Sequence, residues 1–419
     1  MAKIVGPLGG YATLTGTSGD DQIFASGASN TIYDGGGNDF ISTGLRGYNK
    51  VFVGIQGDGR TDARDTVRML GSRNTLIGGD EAFRVISYGP ASLIVLGDGN
   101  NDVAVYGARN HVTVGEGTNT VIAGPKSSVL VFSQDNGVGN PSYADTVQFS
   151  GVGNSLLINA YGGKYPLNGT VHVSGGSGSG TFDVDWADGT LATSGRDNVV
   201  SAGFGTMDLR PGSGGDTVHL YGSYDEGGQS TIHLAGDHNR IDGEAHAITI
   251  TGGTGFTSIA LDAGFYALNS SIAATLGGQG NDVALTGFSG VVDAGSAQDT
   301  VTLTNSSVTA VFHGAGDIAF IHGAGDIAFI QGGGVTIDDQ SSGLKIQLAD
   351  AARVTTIDHF GAARGAVVDL LGSSFTTAAE AFAAVGSDGA GGSTLIFPHS
   401  GGVHFAGVAN LTAANFKIG

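Results

Sequence analysis

Apolar and polar residues alternate over short stretches of this chain, and each stretch is followed by a cluster of glycine and small polar residues. Gly277 to Leu285 shows the unit most clearly: Gly-Gly-Gln-Gly-Asn-Asp-Val-Ala-Leu, six turn-forming residues ending in an aspartate, then three residues with apolar side chains at alternate positions. A turn followed by period-two alternation predicts a short half-buried strand, and turn plus strand is half a coil. Gly16 to Phe24 and Asp34 to Ser42 keep most of the unit, with Asp21 and Asp39 in the acidic position. Pro211 to His219 keeps it around Asp216 and Gly97 to Ala104 around Asp102, while around Asp65, Asp145, Asp197 and Asp299 only the aspartate and the strand remain.

Between these acidic copies lie coils with asparagine in the same place: Asn30, Asn74, Asn110, Asn119 and Asn154, each followed by a strand-like run. Spacings of nine recur (Asn30 to Asp39, Asp65 to Asn74, Asn110 to Asn119, Asp145 to Asn154), and His313 to Ile321 is repeated as His322 to Ile330. A second spacing of 35 (Asn30 to Asp65, Asp39 to Asn74, Asn110 to Asp145, Asn119 to Asn154, Asp282 to Asp317) reads as about two full coils. The pattern predicts an all-β chain, a right-handed parallel β-solenoid of the β-roll or β-helix type, with roughly 18 residues per turn. It divides into a lead-in over 1–14, regular coils over 15–155, a less regular stretch over 156–270, regular coils over 271–350 and a small C-terminal cap of strands with a helix over 351–419.

Composition sharpens this. Gly is 76 of 419 residues and Pro only 7, as expected for many tight corners joined by ladder-forming strands. Glycine on no three-residue period excludes collagen, and 40% hydrophobic residues in alternation argue against disorder. The 33 Asp against 5 Glu favour corners, where a short carboxylate reaches backbone or a cation. A net charge of −20 disfavours nucleic acid and anionic membrane as partners and makes cations the natural counterpart. Cysteine is absent, no apolar run reaches the ~20 residues of a membrane span, and Met1 to Pro7 lacks the apolar core of a cleavable leader.

The pattern Gly-Gly-x-Gly-x-Asp-x-apolar-x resembles the RTX family, whose members are secreted, bind calcium and wind such repeats into a parallel β-roll. The resemblance implies calcium between stacked turns. A hard cation needs six to eight oxygens, so acidic turns must lie one coil, about 18 residues, apart on the same edge. The sets that meet this are Asp282, Asp299 and Asp317, with Asp326 on the opposite edge; Asp21 with Asp39; and Asp197 with Asp216. Asparagine coils need no ion, because neutral amides at one corner can stack into hydrogen-bonded ladders. The C-terminal run Asp358-His359-Phe360-Gly361, the helix expected over Thr377 to Val385, the strands expected over Ser393 to Pro398 and Gly402 to Val408, and the final Leu411 to Phe416 resemble the uncleaved signal of type I secretion substrates. That implies export and an extracellular or cell-surface location; the same layout also reads as an ordinary solenoid cap.

Chemistry, if present, is expected within 155–270. The only tryptophan, Trp186, lies there with Asp183, Asp185 and Asp188, and so do Tyr161, Tyr165, Tyr221 and Tyr224 and the histidines His172, His219, His233, His238 and His246. His219, Tyr221, His233 and Asp185 are the candidates for acid-base work on a polysaccharide, as in lyases and epimerases. The plainer reading is a solvated strand face, since His172, His219 and His233 each sit between inward apolar residues. Zinc-protease, hydrolase-elbow and phosphate-loop motifs are missing. The expected function is therefore structural: a calcium-binding surface layer, adhesin or self-assembling coat. A polysaccharide-modifying enzyme and a carbohydrate-binding module without turnover are the alternatives.

Overall fold

The computed structural model describes residues 1–54, 64–132, 144–159, 170–185, 187–203, 205–221, 229–264, 270–349, 353–361, 364–398 and 401–419. Tyr161, Tyr165, Trp186 and Tyr224 lie outside the described residues. The chain forms two compact units, Met1–Gly212 and Ser213–Gly419.

In the first unit the coils contribute one strand to each of two sheets, and the described strands pair in parallel with their equivalents in the neighbouring coils. Leu93–Val95 lies between Thr75–Gly78 and His111–Val114 in one sheet, while Asp102–Val105 lies between Ala82–Ser87 and Thr120–Ala123 in the other. The alternation read from sequence becomes an inward apolar row and an outward polar row; in Ala144–Phe149 every second residue is buried.

The 18-residue coil is the basic period, as in Gln22 opposite Phe40, but some coils are longer: Phe40 faces Thr66 and Thr120 faces Thr146, each 26 residues on. This corrects the reading of the 35-residue spacing. Asn30 to Asp65 is half a coil to Asp39 followed by one 26-residue coil, and Asn110 to Asp145 is built the same way. The strands on either side of these longer coils keep their register.

The second unit repeats the scheme. Val283, Val301, Ala319, Ile337 and Ile357 stand in register on successive strands and are all buried, making one continuous apolar column. Each large member contributes about 1.5–3 kcal/mol by leaving water. Tight corners explain much of the glycine content: at Gly236, in the corner between Gln229–Leu234 and Asn239–Glu244, with φ +69, a Cβ would lie 1.9 Å from the Ser213 carbonyl oxygen of the coil before.

The C-terminal stretch prolongs both sheets of its unit. Gly402–Ala406 pairs in parallel with Val354–Asp358, and Phe416–Ile418 with Val367–Leu371. The expected helix forms over Ala378–Ala383, capped by the Thr377 hydroxyl, and Val385–Ser387, Ser393–Ile396 and Gly402–Ala406 make an antiparallel run over the last coil. Phe405, fully buried, packs edge-on against Phe360 and Phe416. Among the described residues no helix is long and apolar enough to cross a membrane.

Candidate functional site

A strand entering a parallel coil leaves the N–H of the residue before it facing the next coil, and a buried N–H must find an acceptor. The chain supplies one from the side chain at the same corner one coil on. At the corner entering one sheet of the first unit, Ala12 N–H donates to Asn30 Oδ1, Asn30 N–H to Asn49 Oδ1 and Asn49 N–H to Asn74 Oδ1, each at 3.0 Å. The amide nitrogens extend the ladder: Asn30 Nδ2 donates to Asn49 Oδ1 at 3.0 Å and Asn49 Nδ2 to Asn74 Oδ1 at 3.1 Å. This is the amide ladder that the asparagine coils predict. Ser92, Asn110, Ser127 and Asn154 carry it on.

At the opposite corner carboxylates hold the same place. Ala2 N–H donates to Asp21 Oδ1, Asp21 N–H to Asp39 Oδ1 and Asp39 N–H to Asp65 Oδ1, at 2.6, 2.6 and 2.7 Å. Asp21 is satisfied on both oxygens, since Thr17 N–H and hydroxyl reach Oδ2. Those bonds, the Thr17 N–H foremost, outweigh burial and hold its carboxyl below the usual range. Asp39 and Asp65 differ. Burial pushes each up to about 7 against a single helping backbone N–H, and Oδ2 of each is buried without a hydrogen-bond partner. Farther along, Asn119 donates through N–H and Nδ2 to Asp145 Oδ1, and burial raises Asp145 to about 6.

In the second unit Thr257 N–H donates to Asn281 Oδ1, Asn281 N–H to Asp299 Oδ1 and Asp299 N–H to Asp317 Oδ1, at 3.0, 2.8 and 3.0 Å. Burial raises Asp299 to about 6 and also raises Asp317 and Asp326; Oδ2 of Asp299 and of Asp326 is buried and unpartnered.

The structure thus stacks Asp21 on Asp39 and Asp299 on Asp317, but Asp282 is not in its stack. Asn281 stands there, and Asp282 is exposed on the strand opposite Thr300. The interval already held the answer: Asn281 to Asp299 is 18 residues, one coil, whereas Asp282 to Asp299 is 17. Asp197 is likewise displaced. It occupies an exposed corner at φ 60 while the neighbouring Asn198 accepts the Gly180 N–H. Asp216 is in a ladder, with its N–H on Asn239 Oδ1, but it belongs to the other unit from Asp197. Asn101 takes the place assigned to Asp102. Asn49, Asn198, Asn239 and Asn281 are ladder members the nonapeptide pattern missed; for Asn198 and Asn281 an Asp 18 residues on (Asp216, Asp299) is the available signal, whereas Asn49 and Asn239 stand 19 and 23 residues after the preceding ladder member and carry no such signal.

For a cation, these stacks supply free carboxylate oxygens at Asp39, Asp65, Asp299 and Asp326. Among the described residues no three His, Asp or Glu side chains converge tightly enough to hold a metal, so turn carbonyls must complete any coordination shell.

The candidate acid-base residues are outward. His219 Nδ1 is hydrogen-bonded to Asp242 on the neighbouring strand, and Arg240 Nε donates to the other oxygen of Asp242 at 2.6 Å. Burial pulls Asp242 up, but the bonds from His219 and Arg240 prevail and hold it below the usual range. His233 Nδ1 pairs with Thr251 Oγ1 at 2.9 Å on an exposed face, and Tyr221 is half exposed. Asp185, raised by burial and then by Asp183, belongs to the other unit from His219, His233 and Tyr221. A cavity of about 820 Å³ opens in the cap between Asp358, His359, Phe360 and Arg364 on one side and Val408, Asn410 and Thr412 on the other. No protein-family model, curated protein or solved structure matches the chain.

Proposed function

We propose that this chain is an extracellular structural repeat protein of the RTX type, exported through its C-terminal region, that works by presenting a regular surface and associating with copies of itself, with calcium as the counter-ion of its buried carboxylate stacks. The observation that carries the calcium reading is the set of buried, unpartnered oxygens on Asp39, Asp65 and Asp299. A carboxylate there takes up either a proton or a cation, because the ionised form is uncompensated. Asp39 with Asp65, and Asp299 with Asp317, would hold the ion together with turn carbonyls. Calcium titration by calorimetry and by thermal melting tests this: calcium should raise the melting temperature of the parent at pH 8 and should raise it less in the Asp39→Asn, Asp299→Asn variant. Equal responses would remove calcium from the proposal. Export is tested separately by a chain ending near Ala349, which should stay inside the producing cell.

One observation favours a second reading. The hydrogen-bonded set His219, Asp242 and Arg240 could orient a histidine for acid-base work on a glycan. Turnover of an acidic polysaccharide that is abolished in His219→Ala while the fold persists would place the enzyme reading first.

A further inference from the structure

The two corners of the first unit carry opposite charge. At the corner leaving the 82–87, 102–105 and 120–123 strands, one residue per coil sits in the left-handed region: Tyr48, Arg73, Ala91, Arg109 and Lys126, with φ between 55 and 61. They form one column. Tyr48 N–H donates to Ser72 O, Arg73 N–H to Pro90 O, Arg109 N–H to Pro125 O and Lys126 N–H to Val152 O, all at 3.0 Å. Glycine and asparagine tolerate this conformation best, so arginine and lysine here run against local preference. The side chains are exposed, and no carboxylate occurs in the corners 44–48, 70–73, 88–91, 106–109 and 124–126. Aromatic rings stiffen the row: the Arg73 guanidinium lies over Tyr48 at 5.5 Å, and Tyr88 and Tyr106, both about half exposed, stack at 5.4 Å with Arg68 over Tyr88. Beneath this corner runs the neutral Asn and Ser ladder.

The opposite corner is acidic. Asp80, Asp98 and Glu116 succeed one another at 18-residue intervals, Asp98 N–H donating to Asp80 Oδ1 at 3.3 Å and Glu116 N–H to Asp98 Oδ1 at 2.8 Å, and Asp20 holds the same kind of place on Asn38 N–H. Under this corner lie the buried carboxylates Asp21, Asp39 and Asp65.

Building on the self-association proposed above, we infer that the basic, aromatic edge of one copy docks against the acidic edge of a second copy, side by side. The corner positions of both rows recur once per coil, about 4.8 Å, with Ala91 standing between the cations Arg73 and Arg109. Arg73 and Arg109 are two coils apart, and so are Asp80 and Glu116, so the charges of one edge fall in step with those of the other over several rungs. Because the two edges are different surfaces, the contact is heterologous and leaves each added copy with a free edge for the next. An extended anionic glycan would also find cations on the basic edge, but the matched acidic row on the same coils favours a second copy.

The test uses the full chain in sedimentation velocity at about 20 mM and about 500 mM salt, where surface attraction is respectively weakly and strongly screened. The parent should assemble at low salt and disperse at high salt. Arg73→Asn, Arg109→Asn, Lys126→Asn removes the charges with the side chain that best keeps the corner conformation, and should raise the concentration for half-assembly by about tenfold or more. The corresponding triple Glu variant keeps its acidic edge, so mixed with parent it should cap growing assemblies and shorten them in proportion to its mole fraction. Circular dichroism melts establish that the variants fold, and the Asn variant decides if the Glu variant does not. Parent and Asn variant assembling alike would overturn this inference and leave the assembly reading standing. A parent that stays monomeric at all concentrations would overturn both, and binding of polygalacturonate by that monomer, lost in the Asn variant, would reassign the basic edge to a glycan.

Discussion

At the scale of single residues, a buried side-chain oxygen that accepts the N–H of the coil before it is the recurring device, and its protonation state decides what it contributes. In the amide ladder Asn49 accepts from both nitrogens of Asn30 and donates both of its own to Asn74. Asn49→Ala therefore strands buried donors, at about 1–3 kcal/mol for each unsatisfied group, and denaturant unfolding should show a loss of about 2–4 kcal/mol. The carboxylate ladder behaves differently with pH. Asp39 and Asp65 are raised to about 7 in the folded protein, so between the unfolded value near 3.8 and about 7 the native state holds more protons than the unfolded chain. Their contribution is full below the unfolded value and is lost as pH rises through 7. Asp21 and Asp242, held low, contribute the other way, losing stability as pH falls through their folded values. In chelator the melting temperature should therefore fall between pH 5 and pH 8, and Asp39→Asn should flatten that slope and exceed the parent at pH 8. An unchanged slope would mean that the Asp39 proton is not what couples pH to stability.

At the scale of the coil, identical chemistry one residue apart has different consequences. Asn281 is buried in its ladder, whereas Asp282 is exposed on the strand beside it. Asn281→Ala should cost about 1–3 kcal/mol, while Asp282→Ala should stay within about 0.5 kcal/mol of the parent, as judged by urea unfolding. The reverse result would restore Asp282 to the stack. This pair shows what the sequence makes legible. Alternation and the nine-residue interval identify parallel strands and the half coil, because inward rows must be apolar and corners must tolerate φ > 0. The nine-residue interval does not by itself say which member of an Asn-Asp pair turns inward; the 18-residue interval to the ladder residue one coil away does. Where the pair reads Asn38-Asp39 the second does, and where it reads Asn281-Asp282 the first does. Unequal coil length obscures the period too: 26-residue coils make 35 look like two turns, since a longer coil changes the spacing in sequence without changing the register of the strands. The Tyr48, Arg73, Arg109 and Lys126 column was invisible for a related reason, as single residues spaced by 25, 36 and 17 gain meaning only once the corners are aligned by their hydrogen bonds.

At the scale of the whole molecule, charge is shared unequally between the two compact units. Met1–Gly212 carries 13 Lys and Arg against 19 Asp and Glu, a formal −6; Ser213–Gly419 carries 5 against 19, a formal −14. Net charge of one sign destabilises a compact state through self-repulsion, and dissolved cations relieve it. The second unit should therefore depend more on cations than the first. The cap over 351–419 adds to the burden only slightly, with 3 Lys and Arg against 4 Asp and Glu, so the excess resides in the coils. Hydrogen exchange read by mass spectrometry separates the two units in one sample. On moving from about 20 mM to about 200 mM salt, peptides from the Thr300–Thr304 and Ser307–Phe312 strands should gain more protection than those from Asp102–Val105 and Thr120–Ala123. Calcium at millimolar concentration should enlarge the difference if the Asp299 and Asp317 stack takes up the ion, and should leave it at the salt value if that stack is held by protons. Equal protection of both units under all three conditions would show that apolar stacking, rather than charge, limits the opening of the more acidic unit.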